Sequence, residues 1–167
     1  YEIQLFIARK LIFKKWKEAL GGNLSTISSG SAALQPRLAR IFTAAGITIA
    51  EGYGLTETSP VISVNDMRRN QLKIGSVGPL LDDVEVKIAE DGEILCKGPN
   101  VMMGYYKDKK KTNEVIKDGY FHTGDIGYID KEGFLKITDR KKEMFKTSGG
   151  KYIAPQVIEN SMKQSIF

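Results

Sequence analysis

In the segment EGYGLTETSP, residues 51–60, a Gly-Tyr-Gly triplet is followed by polar side chains. Gly52 and Gly54 would let the backbone approach a flat ligand or adopt a positive φ. Tyr53 offers a ring and a phenol, and the hydroxyl of Thr56 could bind a phosphate. The carboxylate of Glu57 is a hard oxygen ligand for a magnesium ion that bridges phosphates. These residue types together predict a nucleotide-binding segment. The alternative is a turn that contains a buried tyrosine.

A second polar segment, YFHTGDIGYID at residues 120–130, places Asp125 directly after a Thr-Gly pair. A carboxylate can accept two hydrogen bonds from a vicinal diol, which is how many proteins hold a ribose. The alternative is an aspartate that caps its own turn. His122 is the single histidine of the chain, so a site built from several histidines is excluded. We expect a surface or packing role for this side chain.

Charge and glycine are concentrated in DRKKEMFKTSGGK, residues 139–151. The cations could neutralise phosphate charge next to a hinge; the alternative is a solvated charged turn. Aromatic residues do not alternate with the basic ones, and there is no base-stacking platform, so the segment does not predict a nucleic-acid partner. The charged residues are Asp139, Arg140, Lys141, Lys142, Glu143, Lys146 and Lys151.

The composition is that of an ordinary globular chain. The 167 residues are 41% hydrophobic and 27% charged, with a net charge of +5. This modest positive charge suits an anionic ligand or simply solubility. Cys96 is the single cysteine, which excludes an intramolecular disulfide and fits a reducing compartment. We therefore expect a cytoplasmic location, with peripheral membrane contact as an alternative.

The first third of the chain predicts an α/β unit. Residues 1–20 have the pattern of an amphipathic helix that ends at a Gly-Gly pair. A strand at 24–28, a helix at 35–45 and a strand at 47–50 follow, and this order predicts a βαβ unit with a parallel sheet. Ligands of such sheets bind beyond the carboxyl ends of the strands, where both SSGSA and EGYGLTE would lie.

Past residue 60 the hydrophobic pattern changes to an alternation of apolar and polar residues. It predicts a largely antiparallel β region at 61–138, with a short helix around 108–117 capped by Asp108. Pro155 begins a further helix. We predict an α/β protein with three parts: the end of a βαβ parallel-sheet subdomain (1–60), the antiparallel subdomain (61–138), and a hinge with the start of a small α+β domain (139–167).

The order of these motifs resembles the adenylate-forming superfamily, which includes acyl-CoA synthetases, firefly luciferase and peptide-synthetase adenylation domains. The resemblance spans residues 28–159, through SSGSA, YGLTE, HTGD and DRKKEMFK. The segments YGLTETSP, DGEILCKGPNVMMGYY and DRKKEMFKTSGGKYIAPQVIEN look like the long-chain fatty acid branch. The resemblance implies a ligase that activates a carboxylate with ATP as acyl-AMP and transfers the acyl group to coenzyme A.

The resemblance also implies roles for individual residues. Asp125 binds the ribose hydroxyls with help from Arg140, Thr56 contacts phosphate, and Glu57 holds magnesium. Asp139 and Lys142 belong to the hinge about which a small C-terminal domain rotates between the two half-reactions. Lys146 and the glycine loop 148–151 then approach the site for thioester formation. The two walls of the adenine pocket are formed by Gly30, Ser31 and Ala32 and by Gly52, Tyr53 and Gly54.

We expect three family elements outside this sequence: the phosphate loop and most of the acyl tunnel before Tyr1, and the adenylation lysine after Phe167. The chain would then be a C-terminal fragment of a parent protein that uses fatty acid, ATP, Mg²⁺ and coenzyme A. We expect the fragment alone to be inactive and prone to self-association. The alternatives are another adenylate-forming ligase, specific for aryl acids or carrier proteins, and a non-catalytic nucleotide-binding fragment.

Overall fold

The computed structural model describes residues 2–146, 152–153 and 155–163. The chain begins with a helical segment made of α1 (Glu2–Ala8), a π-helical stretch (Arg9–Phe13) and α2 (Lys14–Ala19). Trp16 packs against Phe42, with 5.8 Å between ring centroids, but most apolar side chains of this segment are exposed. The helix was predicted over 1–20, and the π-helical stretch inside it was not.

A three-stranded sheet follows, in the order β1, β2, β3. Strand β1 (Thr26–Ser29) is parallel to β2 (Thr48–Tyr53), and α3 (Pro36–Ala44) connects them. This arrangement confirms the predicted βαβ unit. Pro36 begins the helix and a glycine with positive φ follows it, as is common at helix ends. β3 (Ser63–Val64) pairs antiparallel with the end of β2. The polar segment 54–60 is the loop between these two strands.

The second sheet is antiparallel, as predicted for 61–138. Its path is β4 (Glu85–Ile88), β5 (Glu93–Lys97), β7 (Tyr120–Ile129) and β6 (Ile116–Lys117), and β8 (Leu135–Arg140) also pairs with β7. Helix α4 (Lys109–Val115) is inserted before β6 and is capped by Asp108, whose Oδ1 accepts a hydrogen bond from the Lys111 amide at 2.9 Å.

The last described elements are β9 (Phe145–Lys146), β10 (Tyr152–Ile153) and α5 (Pro155–Lys163). β9 and β10 pair antiparallel, and α5 begins at the predicted proline. The glycine loop 148–151 lies outside the described residues. Among the described helices, none has both the length and the apolar character needed to cross a membrane.

One hydrophobic cluster joins the two main sheets. Ile62 from the loop before β3 packs with Ile94, Cys96 and Leu135 from the antiparallel sheet, and all four are fully buried. Burial raises the pKa of the Cys96 thiol to about 11, so this cysteine is an apolar packing residue. The domain boundaries that we predicted after residues 60 and 138 remain predictions. β3 extends the first sheet to Val64, and β8 extends to Arg140.

Candidate active site

Tyr53 and Asp125 come together from the two sheets. Tyr53 is the last residue of β2, and its hydroxyl donates a hydrogen bond to Asp125 Oδ2 at 2.7 Å. Burial and the adjacent Asp125 charge raise the pKa of Tyr53 well above that of an exposed tyrosine, so the phenol is a proton donor. The sequence predicted a ring and a carboxylate for one ligand; the structure shows that these groups also bind each other.

Asp125 is positioned by a bulge in β7. Gly124 adopts φ of +73°, which favours glycine, and the register with β5 shifts at this point. The sequence suggested a turn here, but β7 continues through the bulge. Asp125 is 6% exposed, and Arg140 Nε lies 3.5 Å from its Oδ1. Burial raises the pKa of Asp125, and the contacts with Tyr53 and Arg140 oppose that rise.

Glu57 is held at the start of the loop between β2 and β3. A short 3₁₀ turn (Thr56–Thr58) contains it. Its side-chain Oε1 accepts a hydrogen bond from the Tyr105 hydroxyl at 2.8 Å, and its carbonyl oxygen accepts one from the Met102 amide at 2.8 Å. Thr56 beside it is exposed. Thr58 is fully buried, and its hydroxyl donates to the carbonyl oxygens of Leu55 and Pro60.

The glycines of this region are required by close backbone packing. A Cβ atom on Gly54 would overlap the carbonyl oxygen of Pro60, and one on Gly52 would lie 3.3 Å from the Ser63 carbonyl oxygen. Neither glycine has a positive φ, so of the two expected reasons for glycine only close backbone approach applies here. A Cβ on Gly30 would meet only the Gly52 carbonyl oxygen, at 3.5 Å. The two predicted walls of the adenine pocket are thus neighbours at the ends of β1 and β2.

Ser31 and Ala32, which complete the first predicted wall, lie in the loop after β1. Both are exposed, and Ser31 has a φ of +66°, a conformation that is uncommon for residues other than glycine. The exposed backbone at the carboxyl end of β1 agrees with a ligand-facing position.

Glu93 is a site-region residue that the sequence analysis missed. It is 5% exposed, and its carboxylate binds the Gly124 amide at 2.9 Å, Lys141 Nζ at 2.8 Å and His122 Nδ1 at 3.2 Å. Burial raises its pKa, but these partners outweigh burial and hold the pKa below the usual value. His122, for which we expected a surface or packing role, is one of these partners. No local pattern marks Glu93, because its partners are 29 to 48 residues away.

An open cleft of about 1050 Å³ is lined by Glu57, Glu93, Tyr105, Gly124 and Lys142, the last a predicted hinge residue. Tyr53, Asp125 and Arg140 are not among its lining residues. Asp139 is 1% exposed, with Oδ1 accepting from the Arg140 amide at 2.6 Å; its buried Oδ2 has no hydrogen-bond partner among the described residues.

The last two predicted site residues, Lys142 and Lys146, follow strand β8. Lys142 is exposed in the turn after β8. Lys146 lies in β9, opposite Tyr152, and its side chain is outside what the structure describes. Its predicted role in thioester formation stays a prediction.

The donor set fits a magnesium ion only in company with a phosphate. Within the described part of the chain, no group of three or more acidic, histidine or cysteine side chains could hold a metal ion. Glu57 supplies one carboxylate, and its Oε2 forms no hydrogen bond to any described residue. Mg²⁺ is commonly bound by one or two carboxylates together with substrate phosphates and water, and Glu57 at the cleft matches that arrangement.

A βαβ unit whose carboxyl-terminal loop faces a buried aspartate from a second sheet is the architecture of a nucleotide-binding domain. The family model described as "AMP-binding enzyme" matches residues 4–106. The chain belongs to this family.

Several relatives of this chain are named as fatty acid–CoA ligases or acyl-CoA synthetases. The chain is 45% identical over 154 residues to the long-chain-fatty-acid–CoA ligase FadD15 of Mycobacterium bovis, covering 92% of this chain and 25% of that protein. It is 44% identical over 165 residues to the peroxisomal long chain acyl-CoA synthetase 7 of Arabidopsis thaliana, covering 90% of this chain and 24% of that protein. The chain thus spans about a quarter of the length of these relatives.

The fold is also found in solved ligases. The O-succinylbenzoate coenzyme A synthetase of Bacillus subtilis, in complex with ATP and magnesium ion, superimposes with a TM-score of 0.68 and 30% identity. The match covers 84% of this chain and 33% of that one. The predicted α/β class and the family resemblance are confirmed; the roles of the individual site residues remain predictions.

Proposed function

We propose that this chain is the C-terminal part of the catalytic region of an AMP-forming long-chain fatty acid–CoA ligase. The observation that supports this most directly is the shared cleft. Glu57, with one free carboxylate oxygen, lines it together with Gly124, which precedes the buried Asp125. The cleft can therefore take a metal-phosphate group at Glu57, and Asp125, the proposed ribose acceptor, follows its lining residue Gly124 in the chain. The names of the curated relatives support the fatty acid as the acyl substrate.

The reaction has two steps. A carboxylate oxygen of the fatty acid attacks the α-phosphorus of ATP, and the bond to pyrophosphate breaks. The thiol of coenzyme A then attacks the acyl carbonyl, loses its proton, and displaces AMP. Electrostatic stabilisation of the phosphoryl charge dominates such chemistry.

Residues of this chain bind and orient the nucleotide. Asp125 accepts hydrogen bonds from the ribose hydroxyls, and Arg140 beside it fixes the carboxylate. Thr56 donates to a phosphate oxygen. Glu57 would hold Mg²⁺, which would neutralise phosphate charge when bound. Lys142 at the hinge lines the same cleft, so rotation about this point would change which groups face the nucleotide.

The experiment that tests the proposal is ATP–pyrophosphate exchange by the parent protein with palmitate, octanoate or benzoate. Strongest exchange with palmitate is the expected result. Exchange only with another acid would keep adenylation and overturn the fatty acid assignment. AMP binding without exchange for any acid would favour a non-catalytic nucleotide-binding protein. Asp125→Asn is the matched variant, because it preserves side-chain size but removes the charge and replaces one of the two acceptor oxygens by an NH₂ donor, and it should strongly reduce exchange.

The isolated chain is proposed to be inactive and to self-associate. Support comes from the exposed apolar side chains of the first helical segment, including Ile3, Phe6 and Leu11, which are 75%, 66% and 61% exposed. Light scattering of residues 1–167 should show oligomers, and a monodisperse monomer would refute self-association. We also propose a cytoplasmic parent protein, on the ground of a single, buried, unpaired cysteine, with peripheral membrane contact as the alternative that cell fractionation would reveal.

A further inference from the structure

Glu57 is fixed by two contacts from one short segment. The Tyr105 hydroxyl donates to its Oε1 and the Met102 amide donates to its carbonyl oxygen, both at 2.8 Å. The phenol and the carboxylate are 48 residues apart in the chain. The segment 102–105 therefore holds both the backbone and the side chain of this glutamate.

Tyr105 is itself anchored to α4. Its amide donates to Thr112 Oγ1 at 2.9 Å, and Lys111 Nζ lies 4.4 Å from the centre of its ring. Gly104 before it adopts φ of +145°, and a Cβ there would lie 2.8 Å from the Thr112 side chain. The chain thus approaches α4 closely at this point, and the direction of the tyrosine is set before any ligand binds.

The bond from Tyr105 leaves one oxygen of Glu57 for a ligand. Oε1 is occupied by the phenol, whereas Oε2 forms no hydrogen bond to a described residue. Both side chains line the open cleft. A glutamate without such a partner would sample several rotamers, and ordering it on binding would cost side-chain entropy.

We propose that Tyr105 is a positioning residue for the nucleotide-bound metal ion: its phenol fixes the Glu57 carboxylate so that Oε2 is directed to the cation. The inference rests on the proposed ligase function and adds a residue to its site. Hydrogen-bond partners of metal ligands typically change metal affinity or activity by about 10–100-fold when they are removed. For a single, cleft-facing carboxylate we expect the lower end, about tenfold.

The test compares Tyr105→Phe with Tyr106→Phe in the parent protein. Tyr106 is the adjacent residue, is 87% exposed and forms no hydrogen bond through its hydroxyl among the described residues. It therefore controls for the loss of a phenol from the same segment. Binding of Mn²⁺ is measured by electron paramagnetic resonance with the ATP analogue that carries a methylene between the α- and β-phosphorus atoms.

The expected result is about tenfold weaker Mn²⁺ binding for Tyr105→Phe, with metal-free AMP affinity and melting temperature unchanged. Tyr106→Phe should match the wild type. In the Glu57→Gln background, Tyr105→Phe should have no further effect, because the phenol acts through the carboxylate. Equal Mn²⁺ affinity of Tyr105→Phe and wild type, or an additive loss in the double variant, would overturn the inference alone. A wild-type parent that binds neither AMP nor the metal–analogue complex would overturn the proposed function.

Discussion

Replacement of Tyr53 by phenylalanine tests whether the two sheets are joined through the carboxylate of Asp125, the proposed ribose acceptor. Tyr53→Phe removes the 2.7 Å hydrogen bond to Asp125, which is 6% exposed. The other partner of the Asp125 carboxylate, Arg140 Nε, lies at 3.5 Å on a side chain that is 63% exposed and cannot replace the lost bond. Hydrogen bonds to charged groups contribute about 1.5–3 kcal/mol, so we expect a loss of about 2 kcal/mol in the free energy of unfolding near neutral pH.

The loss should depend on pH. Burial raises the folded-state pKa of Asp125, and the bond from Tyr53 partly opposes this. Stability associated with a raised pKa is fully present below the unfolded-state pKa and is lost as the pH rises through the folded-state pKa. Tyr53→Phe raises the folded-state pKa further, because it removes a bond that favours the carboxylate. The variant should therefore differ most from wild type above that pKa and least in acid.

Urea unfolding followed by circular dichroism from pH 4 to 8 measures this difference. Tyr128→Phe is the control, since Tyr128 is 45% exposed and its hydroxyl has no hydrogen bond to a described residue. AMP affinity gives a second readout: it should fall with decreasing pH at a higher pH in Tyr53→Phe than in wild type. A destabilisation below about 0.5 kcal/mol, as for ordinary surface changes, or one that does not vary with pH, would refute the reasoning.

Four further substitutions test other parts of the structure. Gly54→Ala should lower the free energy of unfolding, measured with urea, by about 3 kcal/mol or more, because the backbone must move to admit a Cβ atom. Gly30→Ala should leave stability unchanged and weaken AMP binding about tenfold, as measured by calorimetry. The reverse pattern would contradict the pocket assignment. Lys141→Met should lower the free energy of unfolding by about 1–2 kcal/mol at pH 7, because Lys141 Nζ lies 2.6 Å from Asp91 and 2.8 Å from Glu93. The loss should shrink as the pH falls through the lowered pKa values of both carboxylates, and a pH-independent loss would argue against these ion pairs. Asp108→Ala should lower the free energy of unfolding by about 1 kcal/mol, because it removes the cap of α4. An unchanged midpoint of urea unfolding would show that the cap contributes nothing.

The sequence allowed prediction of the elements whose signals are local. The βαβ unit, the antiparallel region and the capped helix α4 each follow from periodicity and from glycine, proline or aspartate at fixed offsets. The pairing of β3 with β2 was missed because two residues carry no periodic signal. The partners of Tyr53 and Glu57 were missed because they lie 72 and 48 residues away, and no local spacing encodes such contacts.

The same long-range bonds explain why the site can be organised before a nucleotide arrives. Tyr53 to Asp125 and Tyr105 to Glu57 each link the βαβ unit to the antiparallel region, and Asn100 Nδ2 adds a bond of 2.8 Å to the Val61 carbonyl oxygen. Donors and acceptors that are fixed by the fold need little reorganisation when charge develops in the reaction. Loss of either phenol should therefore weaken nucleotide or metal binding even where the backbone is unchanged. For Tyr53→Phe, stability and affinity both report on the lost bond, whereas for Tyr105→Phe only the metal affinity should change.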